Sequence, residues 1–487
     1  MATKKTPAKT KVVEVDDVEE KIAKAVAGGK GGTAKFDVNA FYQQTIDDVS
    51  RRQGVESDPM EDLTPMSTGW LMLDIMYGGG IRPAMYTHAG DEQTAKTTLA
   101  LSEMAQAIKI AVPLIAFWDY EGSTKNSKPY IRSILKTMGV PITIRELFGK
   151  KDPDTGKWTV KPRVQYYPET VAEKFFDWLA AIERQYPDKK FIAGKWWLIY
   201  EDTKANKAML GDAVDPKMPK KYGKGLWVEA PDGNLQGFVI VDSWAGMNPA
   251  DNDEEDTDKS LALQARMFSK QLLRVKGRMG KKLIAVVGMN QLSDIPMAMY
   301  GPKQQEKGGK ALRFYSDVRI WNSSRSSGMP FNAVFDKEEG MELEKSVTGT
   351  GRDSYRYIYS KNVKNKLWTP KRKAWFRIWA EDNEGNGCGF DPFFDTMMYL
   401  RETGQLKGND RKKLFLKIDG HDLKKPIAWM QFKTWVLGTK EQKIKVCKDI
   451  GIAKPFDLRA FCFKQMSVGK GETLYVAQKG EPTVTEE

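Results

Sequence analysis

The chain has 487 residues, of which 41% are hydrophobic and 29% charged, with a formal net charge of +13. That length can bury a large core in roughly two to four domains, and no run of about eighteen apolar residues is present to cross a membrane. The opening residues, MATKKTPAKTKVVEV, carry no apolar stretch of the secretory kind, so a soluble cytoplasmic protein is expected. The basic excess bears on partners, not on fold. Three scattered cysteines, Cys388, Cys447 and Cys462, and two histidines, His88 and His421, offer no metal-binding spacing and fit a reducing compartment.

In chain order, residues 1–35 form a basic arm with few large apolar groups, too poor in burial to offset its ordering entropy, and disorder is expected there. In residues 36–62 the apolar positions Phe36, Val38, Phe41, Tyr42, Ile46 and Val49 recur at helical spacing, which predicts a short N-terminal helix and linker packed on a neighbouring domain or another subunit. The core is expected over residues 63–407. In it, Ala84–Ala89 reads as a buried strand entering Gly90-Asp91-Glu92-Gln93-Thr94-Ala95-Lys96-Thr97, and a helix follows from Thr98 to Ile110. The loop has the phosphate-binding spacing G-x-x-x-x-G-K-[ST], with Ala95 in the place of a glycine. Such a loop turns consecutive backbone N–H groups and a helix N-terminus towards phosphates, adds a lysine to neutralise them, and supplies a hydroxyl for magnesium. The next strand, Val112–Trp118, delivers Asp119-Tyr120-Glu121 at its carboxyl end, where ligands of open α/β sheets sit.

Stretches at about 145–163 and 186–234 read as insertions on the core surface, with an amphipathic helix over Pro168–Gln185 between them. Gly237–Ser243 is an apolar strand ending in Asp242, the Walker B pattern of a carboxylate that holds the magnesium shell. An acidic loop, Asp251–Asp258, leads to a predicted helix over Leu261–Lys276 and a strand over Leu283–Val287 that ends in Gly288-Met289-Asn290-Gln291. The following loop carries Pro296, Met297, Met299, Tyr300 and the basic run Lys303–Lys310. Beside an ordinary exposed loop, that mixture suits a nucleic-acid contact, with an apolar or aromatic wedge between bases and lysines on phosphates. Strands are predicted over Ser354–Lys361 and Lys373–Ala380, with Lys364-Asn365-Lys366 between them. A small α-rich C-terminal domain is expected over 408–478 and a disordered tail over 479–487.

The segments STGWLMLD, FWDYEG, VIVDSWAGMNP, LALQARMFSKQL, GMNQL, GGKALRFYSDVRI and VKNKLWTPKRKAWFRI, together with the P-loop, lie in order between about Ser67 and Lys407. In this combination they resemble the RecA family of homologous recombinases. Helicases and other ATPases of the same fold share the P-loop and Walker B strand but not the GGKALRFY segment after a GMNQ strand. The resemblance implies an α/β fold, a RecA-like P-loop ATPase core with a mostly parallel twisted sheet flanked by helices.

It also implies roles for single residues. Gly90 through Thr98 would hold ATP, with Tyr130 on adenine; Lys96 would bind phosphates, and Thr97 and Asp242 magnesium. Glu121 would activate the attacking water, and Gln291 would read the γ-phosphate and couple it to the DNA-binding loop. Lys364 and Lys366 would reach the ATP of a neighbouring subunit. DNA contacts would come from Arg266, Met299, Tyr300, Lys303, Lys307, Gly308, Gly309 and Lys310.

Two features depart from the family pattern. The first DNA loop, about Asn248–Ser260, is acidic, and Ala95 would cost roughly 1–2 kcal/mol if its φ is positive. Phage recombinases of the UvsX type also lack that glycine, which turns the expected source towards a bacteriophage and its host's cytoplasm. The expected activity is ATP-dependent strand exchange by a helical homo-oligomeric filament on single-stranded DNA paired with homologous duplex DNA, served by a single-strand-binding protein or loader. The alternatives are an ATP-binding, barely hydrolysing protein that coats single strands, and a helicase or motor of the same fold.

Overall fold

A computed structural model of the chain describes residues 63–192, 194–230, 234–250, 257–295, 304–324, 355–369, 372–379, 388–407, 414–418, 421–423 and 425–468. The predicted arm, N-terminal helix and tail lie outside the described residues, as do Met299, Tyr300, Lys303 and most of the acidic first loop. The first half of the described chain runs α1 (Leu71–Tyr77), β1 (Met85–Gly90), α2 (Lys96–Lys109), β2 (Leu114–Asp119), α3 (Lys128–Thr137), α4 (Ile144–Phe148), the β3 (Lys150–Lys151) and β4 (Trp158–Val160) hairpin, β5 (Gln165–Pro168) and α5 (Ala172–Gln185). Next come β6 (Asp188–Ile192), β7 (Lys195–Tyr200), α6 (Lys204–Leu210), α7 (Met218–Tyr222), β8 (Leu226–Glu229), β9 (Gly237–Asp242), α8 (Thr257–Lys281), β10 (Ile284–Asp294), β11 (Gln304–Glu306) and α9 (Gly309–Tyr315). The remainder is β12 (Val318–Ser324), β13 (Tyr355–Asn365), β14 (Lys373–Trp379), β15 (Gly389–Phe390), α10 (Pro392–Glu402), three short strands β16 (Leu406–Lys407), β17 (Phe415–Ile418) and β18 (His421–Asp422), and helices α11 (Trp429–Leu437), α12 (Lys440–Asp449) and α13 (Leu458–Val468).

The main sheet has the order β15-β14-β13-β12-β1-β10-β9-β2-β5, with β11 paired to β10. From β12 to β5 every pairing is parallel; β13, β14 and β15 add an antiparallel edge. Strands β1, β2 and β9 are buried at every residue, as parallel strands covered on both faces must be. Their side chains alternate between two apolar cores. Ile115, Phe117, Phe238, Ile240, Ala285 and Val287 pack with α1, α2 and α3. The intervening Ala116, Trp118, Val239, Val241, Ile284 and Val286 pack with α5, α8 and α9. One sheet between two helical layers is the result, the mostly parallel α/β core that was expected.

The C-terminal helices contribute Trp429, Phe432, Trp435, Cys447, Leu458 and Cys462 to the first of these cores and build no separate one among the described residues. Asp395 on α10 ties the two regions together. It accepts the backbone N–H groups of Leu71 and Met72 at 2.9 and 3.0 Å, so it caps α1 from outside the helix, and it pairs with Arg459 of α13 at 2.7 Å. Residues 188–229 form an antiparallel three-stranded sheet, β6-β7-β8, with its own small core of Trp197, Met218 and Trp227.

Several elements differ from the sequence expectation. Strand β5 adds a parallel edge after the predicted insertion at 145–163. Residues 309–315, read as part of a loop, are helix α9. Lys364 lies inside β13, which runs on to Asn365 instead of stopping at Lys361.

Candidate functional site

The site is assembled where the parallel strands end. Strand register sets Gly90 level with Gln291, and Asp119 level with Asp242, so the P-loop, both acidic strand ends and the end of β10 share one edge of the sheet. Between Gly90 and α2 the backbone makes a tight turn in which Gln93 and Ala95 have φ of 57° and 63°. Ala95 therefore occupies the left-handed region where a glycine is at home, at a cost of roughly 1–2 kcal/mol. Thr94 Oγ1 braces the turn by donating to the Asp91 carbonyl at 2.8 Å. Lys96 opens α2, and its Nζ donates to the carbonyls of Gly90 at 2.9 Å and Asp91 at 2.5 Å. Burial holds its ammonium below the usual lysine range, while Glu121 and Asp242 pull the other way. The free N–H groups of the first turn of α2 complete an anion-binding cradle.

Asp242 is 4% exposed, and Thr97 Oγ1 donates to its Oδ2 at 3.2 Å. Burial, then the neighbouring Glu121 and Asp119, raise its carboxyl to about 7. Buried acids with a hydroxyl beside them and one lysine nearby make a donor set that suits a hard divalent cation completed by phosphate and water. Among the described residues no group of three or more His, Cys, Asp or Glu forms a metal cage, and magnesium bound through phosphates requires none. Asp119 is itself committed: it accepts from the N–H of Gly122 at 2.7 Å, the N–H of Thr124 at 3.1 Å and the Tyr166 hydroxyl at 2.8 Å. These contacts shape the bend that presents Glu121. Tyr130, 36% exposed, stands beside the first turn of α2 with its hydroxyl 2.5 Å from Thr98 Oγ1.

Glu121 Oε1 receives two donors, Ser243 Oγ at 2.6 Å and Gln291 Nε2 at 3.4 Å. The other end of the Gln291 amide accepts Lys307 Nζ at 2.9 Å, and the Gln291 carbonyl accepts the Lys307 N–H at 3.1 Å. Asn290 Nδ2 donates to the Lys307 carbonyl at 2.9 Å, and β11 returns antiparallel along β10. Gln304 Nε2 reaches Asp91 Oδ1 of the P-loop at 3.4 Å. Glu306, 2% exposed, is saturated by Arg319 Nη2 and the Trp321 indole N–H, each at 2.6 Å, so the return strand is anchored as well. Residues 304–307 are thus tied by hydrogen bonds that lead back to Glu121.

The remaining residues singled out in the sequence fall into two places. Gly308 and Gly309 have φ of 90° and 75°, and a Cβ on Gly308 would stand 3.1 Å from Phe268 of α8, so this pair lets α9 start against α8. Lys310 on α9 and Arg266 on α8 are exposed. Lys364 and Lys366 do not reach the P-loop of their own chain. Lys364 pairs with Arg319, which is level with Thr87, three residues or about 10 Å along β1 from Gly90. Lys364 Nζ caps α9 by donating to the carbonyls of Arg313 at 2.8 Å and Phe314 at 2.7 Å, while Lys366 Nζ lies 5.3 Å from the centroid of the exposed Phe314 ring. Burial and the adjacent Lys366 lower Lys364 to about 8.

Sequence reading missed Ser243 and Lys307 as partners of the acid and the glutamine, and Trp244 as the side chain under them. Only the position of Ser243 next to Asp242 could have signalled the first. A cavity of about 580 Å³ among Trp70, Gln106, Lys109, Arg459 and Phe463 lies at the far end of α2 from Lys96 and not at this chemistry.

A P-loop-like turn before α2, acids ending β2 and β9, and Gln291 near the end of β10 thus share one edge of the sheet. The RecA N-terminal domain family matches residues 232–381, from before the Walker B strand to the end of β14. The RecA protein of Thermus aquaticus is 31% identical over 201 residues, which is 38% of this chain and 52% of that protein. RecA of Chlorobium chlorochromatii is 31% identical over 184 residues, 34% of this chain and 47% of that protein. The chromosomal RecA of Lactococcus lactis is 28% identical over 252 residues, 48% and 55% of the two chains. The matched stretch spans about half the length of these curated relatives. Residues 232–381 are thus similar to the RecA N-terminal domain, and part of the chain is similar to RecA proteins.

Proposed function

We propose that this chain is an ATP-dependent DNA strand-exchange recombinase that forms helical filaments on single-stranded DNA and pairs it with homologous duplex DNA. The hydrogen-bonded chain Lys307–Gln291–Glu121–Ser243 carries the reading, because it joins the acid beside the P-loop to the segment proposed to touch DNA. Lys96 and the first amides of α2 would grip the β- and γ-phosphates, with Tyr130 against the base. Thr97 and Asp242 would hold magnesium, which when bound neutralises phosphate charge and polarises the γ-phosphoryl group. Glu121 orients a water in line with the γ-phosphorus and takes its proton as the new P–O bond forms and the bond to the β-phosphate oxygen breaks. Gln291 senses that event and passes it to Lys307 and the loop before it, where Met299, Tyr300, Lys303, Gly308, Gly309 and Lys310, with Arg266, would meet DNA.

Because Lys364 and Lys366 stand away from their own P-loop beside an exposed aromatic ring, we assign them to the nucleotide of an adjacent subunit. Nucleotide binding and filament assembly then become one event. The left-handed Ala95 supports a UvsX-like phage lineage acting in a host cytoplasm. Electron microscopy of the protein on single-stranded DNA with a non-hydrolysable ATP analogue tests the reading. Helical filaments are expected; closed rings would favour a motor, and coated strands without regular helical order a passive coating protein.

A further inference from the structure

We propose that the inserted module of residues 188–229 carries a second binding site for the phosphodiester backbone of DNA, formed by Lys217, Lys220, Lys221 and Lys224. The inference rests on the recombinase reading for the presence of DNA, and on the module's own geometry for the site. Lys217, at the N-cap with helical dihedrals, Lys220 and Lys221 follow the helical spacing i, i+3, i+4 on α7, Lys224 follows just beyond Gly223, where the helix has ended, and all four are exposed. The opposite side of the same helix is fixed: Met218 and Tyr222 pack on Trp197 and Trp227, and the Trp227 indole N–H donates to the Gly223 carbonyl at 3.2 Å. The lysines therefore project from a packed element and not from a loose loop.

None of the four has an acidic partner among the described residues, and neither does Lys204 on the neighbouring α6. Within residues 204–224 six lysines stand against only Asp212 and Asp215. Like charges at i, i+3 and i, i+4 destabilise a helix, so this pattern works against the folding of the short helix that displays it. Such a face is accounted for by a polyanion, whose phosphates would remove the repulsion. Lysines without planar recognition partners, and without an exposed aromatic between them, suit backbone contact with no sequence preference. Tyr222 is taken up by the Trp227 packing, with Lys221 Nζ 5.0 Å from its ring centroid.

The place of the module separates this site from the first. It joins the core at the amino ends of the parallel strands, through Lys282 Nζ to Asp188 Oδ1 at 2.5 Å and Lys189 Nζ to the Asn234 carbonyl at 3.0 Å. Asp242 is five residues along β9 from Gly237, about 17 Å further on, at the edge that holds the P-loop and the loop after β10. The module therefore meets the core at the sheet edge opposite the one that holds the P-loop.

The test uses the full-length protein with magnesium and a non-hydrolysable ATP analogue, and fluorescent single-stranded and duplex DNA of one sequence as separate probes. The variant Lys217→Ala/Lys220→Ala/Lys221→Ala/Lys224→Ala should flatten the dependence of log binding constant on log salt by up to about 3–4 on duplex or about 2–3 on single strands. Whichever probe shows the change identifies the DNA form held there. Binding of a fluorescent ATP analogue should be unchanged, and the corresponding Lys→Arg variant should keep the wild-type salt dependence. An unchanged slope on both probes, with wild-type protein binding DNA normally, overturns the site. Equal loss in the Ala and Arg variants also overturns it, in favour of a surface for a protein partner. Failure of the wild-type protein to bind either probe would instead remove the recombinase reading.

Discussion

Replacing Gly288 with alanine tests whether core packing sets the position of the acid. Gly288 lies inside β10, level with Thr87 on one side and Val241 on the other, in a strand conformation that any residue can adopt. Space is what requires a glycine there: a Cβ would stand 1.9 Å from Trp244 Nε1, 2.2 Å from Cε2 and 2.7 Å from Cζ2. The indole is 1% exposed and boxed in by Phe175 and Phe268, with ring centroids at 5.9 and 6.0 Å, so it has no free direction in which to move. Overpacking of a tight core costs about 1–3 kcal/mol, and a clash along a whole indole edge belongs at the upper end, about 3 kcal/mol. Trp244 directly follows Ser243, whose hydroxyl holds Glu121, so ATP turnover should fall together with stability. Urea unfolding of Gly288→Ala, Trp244→Phe and the double variant, with ATP turnover of each, measures both effects. The smaller ring should relieve the clash and leave the double variant more stable than the sum of the singles by about 1 kcal/mol or more. Additivity within about 0.5 kcal/mol, or a Gly288→Ala protein of wild-type stability, would refute the packing account.

Three further outcomes are expected. Lys96→Ala should abolish binding of a fluorescent ATP analogue while leaving the unfolding midpoint nearly unchanged, because its ammonium meets only two loop carbonyls. Asp391→Ala should cost about 3 kcal/mol in denaturant unfolding, since it removes the buried carboxylate paired with the Arg377 guanidinium, with about 1 kcal/mol more from losing the cap on the Phe393 N–H. Burial raises Asp74 from 3.8 to about 7, so the folded chain holds that proton more tightly than the unfolded chain, and stability falls as pH rises through this window. Asp74→Asn cannot titrate; its stability relative to wild type should increase between about pH 4 and pH 7, and a constant difference would contradict the shift.

The edge of the sheet that holds the candidate site was legible because β1, β2 and β9 are short apolar runs that each end in a chemically distinct residue, Gly90, Asp119 or Asp242. Elements whose stability comes from distant partners were not. Strand β5 reads only Gln-Tyr-Tyr-Pro and is a strand because β2 offers it an edge. The paired glycines ahead of α9 suggest a loop, yet their positive φ values are what let that helix begin against α8. The polar run around Lys364 extends β13 because β12 pairs with it. In the insertion, Lys-Trp-Trp-Leu-Ile-Tyr becomes a sheet strand with a covered face only when Met218, some twenty residues later, closes over Trp197. The same holds at the site. A strand end brought out Glu121 and the family resemblance Gln291, whereas their meeting depends on β9 alone lying between β2 and β10 in the sheet order.

The most direct test of the central claim is steady-state ATP turnover with and without single-stranded DNA, for the wild-type protein and Gln291→Ala. Coupling through Gln291 predicts DNA-stimulated turnover in the wild type, and in the variant retained nucleotide binding with the stimulation lost. A wild-type protein indifferent to DNA, or a Gln291→Ala protein stimulated to the same degree, would contradict it.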